Sequence, residues 1–240
     1  MTGLGEKIRA LFAKGGYTCD GCGREAFSYP EKRLCDDCAA TLRKNDGFVC
    51  EKCGRKARSQ GVCLACKQNL PEFAKGYSPF VYAGFAASLV NRLKNGERNL
   101  SNFFGEEMSA YVAEKIENPQ ELIVVSVPMT KERQTARGYN QAAELAKTVA
   151  NNLDLLYDEE VLIKTRDAVG QKYLSGKERT ENVRGAYRVH KRAFVRDKRV
   201  LLIDDVMTTG ATGSECARIL KNAGADEVIF LTAASLREPK

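Results

Sequence analysis

Val200-Leu201-Leu202-Ile203-Asp204-Asp205-Val206-Met207-Thr208-Thr209-Gly210-Ala211-Thr212 is the stretch that decides the fold. Its first four residues are apolar without interruption, as in a strand buried on both faces. Two adjacent carboxylates follow, then a loop of small hydroxyl residues and a glycine, then a helix expected over 212–223. That order sets loop amides beside a helix N-terminus, which makes an anion cradle. Thr208, Thr209 and Thr212 add hydroxyl donors, and Gly210 lets the backbone approach a phosphate closely. Asp204 and Asp205 suit the hydroxyls of a ribose, or a Mg²⁺ that accompanies them, since Mg²⁺ takes one or two carboxylates plus phosphate oxygens. The pattern therefore fits a phosphorylated sugar. The plainer reading, an acidic turn before a Thr-capped helix, would set two carboxylates at a buried strand end without a ligand, which is costly.

On either side of this stretch, strands and helices alternate. Strands are expected at 80–83, 122–127, 161–163 and 227–232, and helices at 85–95, 101–117 and 139–152. Phe104, Met108, Tyr111, Val112 and Ile116 form one helical stripe, and Ala142, Leu145, Ala146 and Val149 another. Apolar strands alternating with helices imply an α/β fold with a parallel sheet covered on both faces, and ligands at the carboxyl ends of its strands. Cys216 falls on a core stripe with Ile219, Leu220 and Ala223, so it reads as a packing thiol. His190, the only histidine, sits in a basic stretch and is not expected to be catalytic.

The first 75 residues are of another kind, with eight of the nine cysteines. Cys19-x-x-Cys22 pairs with Cys35-x-x-Cys38, and Cys50-x-x-Cys53 with Cys63-x-x-Cys66. Gly23-Arg24 and Gly54-Arg55 follow the leading pairs, and Leu34-Cys35 matches Val62-Cys63, so the segment is an internal repeat. Two C-x2-C elements supply a tetrahedral four-thiolate zinc site, closed and hence structural. Sequential and cross-braced pairings both fit the spacing. Zinc would compensate for a core too small to fold alone. Alternatively the ribbons grip a partner or single-stranded nucleic acid through Arg24, Arg33, Arg43, Lys44, Arg55, Lys56 and Arg58 with Phe27, Tyr29 and Phe48. Pro71, Gly76 and Pro79 punctuate residues 67–78, which mark a boundary between domains 1–75 and 76–240.

Composition agrees with a soluble chain. The 240 residues are 43% apolar and 29% charged, and no apolar run reaches the roughly 20 residues that span a bilayer. Charges at Glu6, Lys7, Arg9 and Lys14 exclude an apolar signal core at the start, so a cytoplasmic protein without membrane insertion is expected. The net charge is +7, of which +5 lies in residues 1–75. Eight zinc-bound thiolates and two dications bring that part to about +1, so bulk charge does not argue for nucleic acid. A second basic stretch, Lys177 to Arg199, holds nine Lys and Arg against three acidic residues. It suits either anion capture by a mobile hood over 164–199 or a solvated surface.

The segment 200–212 is similar at every position to the phosphoribosyl pyrophosphate (PRPP) signature of type I phosphoribosyltransferases. Val127-Pro128-Met129-Thr130-Lys131-Glu132-Arg133 with Arg137-Gly138-Tyr139-Asn140-Gln141-Ala142 resembles a block typical of the ComF competence-protein family. So do Gln171, Leu174, Arg179, Asn182, Gly185, Ala186 and Tyr187, the pair Tyr82-Ala83-Gly84 and Leu93-Lys94-Asn95-Gly96, and the preceding cysteine clusters. The resemblance implies a type I phosphoribosyltransferase-like parallel sheet with a small N-terminal zinc-ribbon domain. It implies PRPP as ligand, Asp204 and Asp205 as catalytic residues, and Val206, Met207, Thr208, Thr209, Gly210, Ala211 and Thr212 as the phosphate loop. Val127 to Lys131 would be the pyrophosphate loop, with Lys131, Arg133 and Arg137 neutralising that group. Met129 replaces the acidic residue of PRPP amidotransferases, and Thr208 replaces the acidic base of purine-salvage relatives; a threonine cannot take that proton near neutral pH. The acceptor is therefore not a purine of that kind and stays unnamed. The expected function is phosphoribosyl transfer with Zn²⁺ and Mg²⁺, linked to DNA uptake. The alternative is a PRPP-binding module without turnover, whose ribbons meet single-stranded DNA or a helicase-like partner.

Overall fold

The computed structural model describes residues 18–26, 31–166 and 183–237. Phe27, Tyr29, Gln171, Leu174, Arg179 and Asn182 lie outside the described residues, as does most of the expected hood. The chain divides into two compact units, Met1–Leu42 and Arg43–Lys240. The expected boundary fell near residue 75; the observed division comes earlier and leaves one cysteine cluster in each unit.

In the first unit, Thr18 bridges to Glu25 across a tight turn, and a short helix, α1 (Asp36–Thr41), starts behind Cys35. The second unit opens with the same construction: Val49 bridges to Lys56, and α2 (Leu64–Gln68) starts behind Cys63. Cys35 and Cys63, the residues before the helices, have nearly identical backbone angles, φ −65° and ψ 159° against φ −66° and ψ 158°. The two turns need left-handed glycines at Gly23 and Gly54, with φ of 73° and 68°.

The remainder of the second unit is an α/β layer. Its strands are β1 (Lys75–Tyr77), β2 (Phe80–Val81), β3 (Leu122–Ser126), β4 (Leu156–Tyr157), β7 (Arg199–Met207) and β8 (Glu227–Ser235), all parallel. The order across the sheet is β1-β8-β7-β3-β4, with β2 also paired to β8. Helices α3 (Gly84–Lys94), α4 (Leu100–Lys115), α5 (Lys131–Arg137), α6 (Gln141–Leu153), α7 (Arg192–Val195) and α8 (Ala211–Asn222) complete the unit. Leu201, Leu202, Ile203, Leu231 and Ala233 are fully buried, as their unbroken apolar runs require. Phe104, Met108 and Val112 of α4 and Leu145, Ala146 and Val149 of α6 are fully buried too, the two expected stripes.

Two expectations change. β5 (Leu162–Lys164) is not part of the parallel sheet; it pairs antiparallel with β6 (Tyr187–Val189) in a separate ribbon. β7 does not stop at Ile203. It runs to Met207 because β8 continues beside it, with Asp204 opposite Thr232 and Met207 opposite Ser235. Among the described residues no helix is long and apolar enough to cross a membrane.

Candidate functional site

The carboxyl end of β7 is where the elements converge. β3 ends at Ser126, level with Ile203, and the Val127 amide donates the last rung to the Ile203 carbonyl at 2.9 Å. Beyond it, β7 has a neighbour only on its β8 side. Asp204 and Asp205 sit on this overhang, and neighbouring residues of a strand face opposite sides of the sheet. Asp204 and Val206 line a cavity with Val183, Thr208, Thr209, Gly210 and Thr212. Asp205 does not; it forms an ion pair with Lys94, at the end of α3, at 3.3 Å. The two carboxylates thus flank the strand and do not make one pincer.

Burial and the adjacent Asp205 charge push the Asp204 carboxyl up to about 7, against Lys94, Lys164 and the Asp205 amide that donates to it at 2.8 Å. A carboxyl raised in the folded chain holds its proton where the unfolded chain has lost it. Its stability contribution is therefore present below the ordinary value of 3.8 and lost as pH rises to about 7. Asp204→Asn keeps the acceptor and removes the charge. It is expected to stabilise the ligand-free protein at pH 8 by on the order of 2 kcal/mol, about 4–8 °C in thermal midpoint, and by clearly less as pH falls toward 4. Unchanged or lower midpoints at pH 8 would refute a strained carboxylate.

The loop after β7 is short, because Val206 and Met207, expected in it, belong to the strand. Gly210 takes φ 84° and hands over to α8, its carbonyl accepting from the Ser214 amide at 2.8 Å. The Ala211 amide donates to the Thr209 hydroxyl at 3.3 Å. The first-turn amides of α8 have no carbonyl of their own helix to meet, which leaves donors and a positive helix end for an anion. Gly213 lets the helix lie on β8: a Cβ there would sit 2.5 Å from the Phe230 ring. Cys216 is fully buried, and burial raises its thiol well above the ordinary range, so it is a packing residue. His190 is exposed.

Lys131, Arg133 and Arg137 all lie on α5, exposed, on the connection that follows β3. They are thus on the strand next to β7 but not in the cavity at Asp204. Asn140 organises this connection: its amide nitrogen donates to the Val127 carbonyl at 3.0 Å and its oxygen caps α6 at the Ala142 amide.

Both cysteine clusters form tetrads in sequential pairing, Cys19, Cys22, Cys35 and Cys38, and Cys50, Cys53, Cys63 and Cys66, with the sulfurs of each within 4.8 Å of one another. The nearest sulfurs across the two halves are 3.9 Å apart in both, Cys22 to Cys35 and Cys53 to Cys63. Tetrahedral Zn–S bonds of about 2.3 Å require roughly 3.8 Å, so four thiolates at this spacing fit zinc. Backbone amides of Gly21 and Cys35 point at the Cys19 sulfur, and those of Cys53 and Cys63 at the Cys50 sulfur. Zinc held there would supply a cross-link, with no open position for chemistry.

The basic residues expected to meet nucleic acid have other partners. Arg24 pairs with Asp37 at 2.9 Å, Lys56 with Asp46 at 2.9 Å, and Arg33 with Asp20 at 3.9 Å. Arg55 is not on the surface at all: it is 4% exposed and donates to the Thr208 carbonyl at 2.9 Å. Phe48, Arg43 and Arg58 do remain exposed. The roles of Lys94 and Arg55 at the loop were not evident from motif reading alone.

The phosphoribosyl transferase domain family matches residues 137–239. The DNA utilization protein YhgH of Escherichia coli (strain K12) is 30% identical over 201 residues, covering 81% of this chain and 87% of that protein. Competence protein F of Haemophilus influenzae is 35% identical over 107 residues, covering 44% of this chain and 46% of that one. Among solved structures, the allosteric regulatory enzyme of purine biosynthesis overlaps 61% of this chain and 30% of its own at 22% identity and a TM-score of 0.41.

Proposed function

The chain belongs to the ComF competence-protein family, and from that premise we propose that it binds PRPP at the end of β7 and transfers its phosphoribosyl group to an acceptor in DNA utilization. The observation that carries the reading is the β7 overhang, with a desolvated carboxylate at Asp204 beside a loop that ends in a left-handed glycine and a helix N-terminus. Thr208 to Thr212 would hold the 5′-phosphate, and Asp204 and Asp205 the ribose hydroxyls from the two sides of the strand. Lys131, Arg133 and Arg137 on α5 would neutralise the pyrophosphate leaving group, the place where charge develops. A Mg²⁺ arriving with PRPP would be met by Asp204, where a cation offsets the buried charge, and would further stabilise the leaving group. Among the described residues no candidate general base stands out at the cavity, which suits an acceptor that is already nucleophilic.

The test is calorimetry of PRPP with Mg²⁺ on the metal-loaded full chain, followed by pyrophosphate release with candidate acceptors. Saturable binding and release are expected, and Asp205→Asn should cut release at least tenfold by freeing Lys94 and removing a hydroxyl acceptor. Binding with no release under any acceptor would favour a sensor module, and the absence of binding heat would defeat the reading.

A further inference from the structure

We propose that Arg55, a residue of the second cysteine repeat, is a positioning residue of the phosphate loop. This rests on the reading of 208–212 as that loop. Arg55 joins two places 153 residues apart: its Nε donates to the Cys53 sulfur at 3.3 Å, and its Nη1 donates to the Thr208 carbonyl at 2.9 Å. A guanidinium is a rigid planar fork, so fixing one edge on the cysteine aims the other. The carbonyl it holds belongs to the first peptide of the loop. A trans peptide points its carbonyl and the following amide in opposite directions. Pinning the Thr208 oxygen therefore sets the direction of the Thr209 amide, the first donor of the cradle.

The internal repeat shows that this use of the arginine is specific. Arg24 occupies the same place in the first repeat and bonds its own cysteine, Cys22, at 3.4 Å. Its remaining nitrogen is spent inside the ribbon, on Asp37 at 2.9 Å, with 64% of its side chain exposed. Asp37 is the third residue of Cys35-Asp36-Asp37-Cys38; the matching residue of Cys63-Leu64-Ala65-Cys66 is Ala65. The second repeat has lost the internal partner, and its arginine reaches Thr208. Phe73 supports the same loop from below. It is fully buried, stacks on Phe230 at 5.3 Å between ring centres, and lies 3.8 Å from where a Cβ on Gly210 would be.

Two variants test this from opposite directions. Arg55→Ala removes the fork. Ala65→Asp keeps the arginine but gives it the partner that Arg24 has. Full-length protein of each is titrated with PRPP·Mg²⁺ and with ribose 5-phosphate, metal content is measured, and hydrogen exchange is followed over 206–213. With two metal ions per chain retained, Arg55→Ala is expected to weaken both ligands by the same factor, at least tenfold, and Ala65→Asp at least threefold. In both, amides 209–213 exchange faster while those of β3 do not change. A purely structural arginine would instead change metal content and melting and leave the ligand ratio alone. If Arg55→Ala does not fold, Ala65→Asp decides. Wild-type affinity and wild-type loop exchange in a metal-replete variant overturn the proposal. If wild-type protein binds neither ligand, the phosphate-loop reading has failed, and faster exchange in 209–213 still reports whether Arg55 positions the loop.

Discussion

A chain that begins at Arg43 is expected to fold and take up one metal ion, whereas a chain that begins at Gly76 is expected to aggregate. Residues 43–75 are built into the sheet unit. The Arg43 carbonyl accepts from the Val81 amide at 2.9 Å, and Asn45 donates to the carbonyls of Gly54 and Ser78 at 2.6 and 3.0 Å. Cys50, Cys53, Cys63, Cys66 and Phe73 belong to one buried cluster with Met207, Cys216 and Phe230. Cutting at residue 76 strips Phe73 from Phe230, a loss of about 3–5 kcal/mol for such a side chain, and removes the second metal site altogether. Domains are stable by only about 5–15 kcal/mol, so the remaining sheet does not survive the cut. Soluble yield, a circular-dichroism melt and metal content read the result. A 76–240 chain that melts cooperatively near the full-length temperature would show that the second repeat is an independent module after all.

Gly54→Ala is expected to destabilise the sheet unit by at least about 3 kcal/mol, and Gly23→Ala the first repeat by only about 1 kcal/mol. The two glycines hold equivalent places with nearly equal positive φ, so the backbone cost is shared. Their surroundings differ. A Cβ on Gly23 meets nothing within 4 Å, while one on Gly54 lands 2.1 Å from the Gly76 carbonyl oxygen and 2.7 Å from its carbon. Those are backbone atoms of β1, held by the Gly76 amide bond to the Lys52 carbonyl at 2.8 Å and by the pairing with β8. No rotamer change relieves the clash. Urea unfolding with metal release as the signal separates the two sites, and equal costs would mean that the second repeat is not seated as described.

The parallel sheet, the helical stripes, the tetrads and the loop were legible in the sequence because each depends on local period or spacing. What was not legible depends on a distant partner. The apolar run stops at Ile203, yet the strand continues to Met207 because β8 offers hydrogen bonds that far. Strand alternation then sends Asp204 and Asp205 to different faces, which adjacent letters do not suggest. Val161-Leu162-Ile163 carries the same apolar signal as β3 but pairs with β6 instead, since its length does not choose its neighbour. Arg55 reads as a surface cation beside a cysteine. Only the exchange of Asp37 for Ala65 between the repeats hinted that it had work elsewhere, and a one-residue hint names no partner. Lys94 was visible in its motif, but its ion pair with Asp205 needed α3 to end above the strand.

β8 lies between β7 on one side and β1 and β2 on the other, and it follows every other described strand in the chain. The ribosome therefore releases the keystone last. Until residues 227–235 emerge, β1 and β7 each present an open, sticky edge to the crowded cell, while the cysteines at 50–66 have long been free to capture metal. Early metal uptake gives the nascent chain a folded anchor through that interval, and a cell short of the ion would meet the defect first as precipitation of newly made protein.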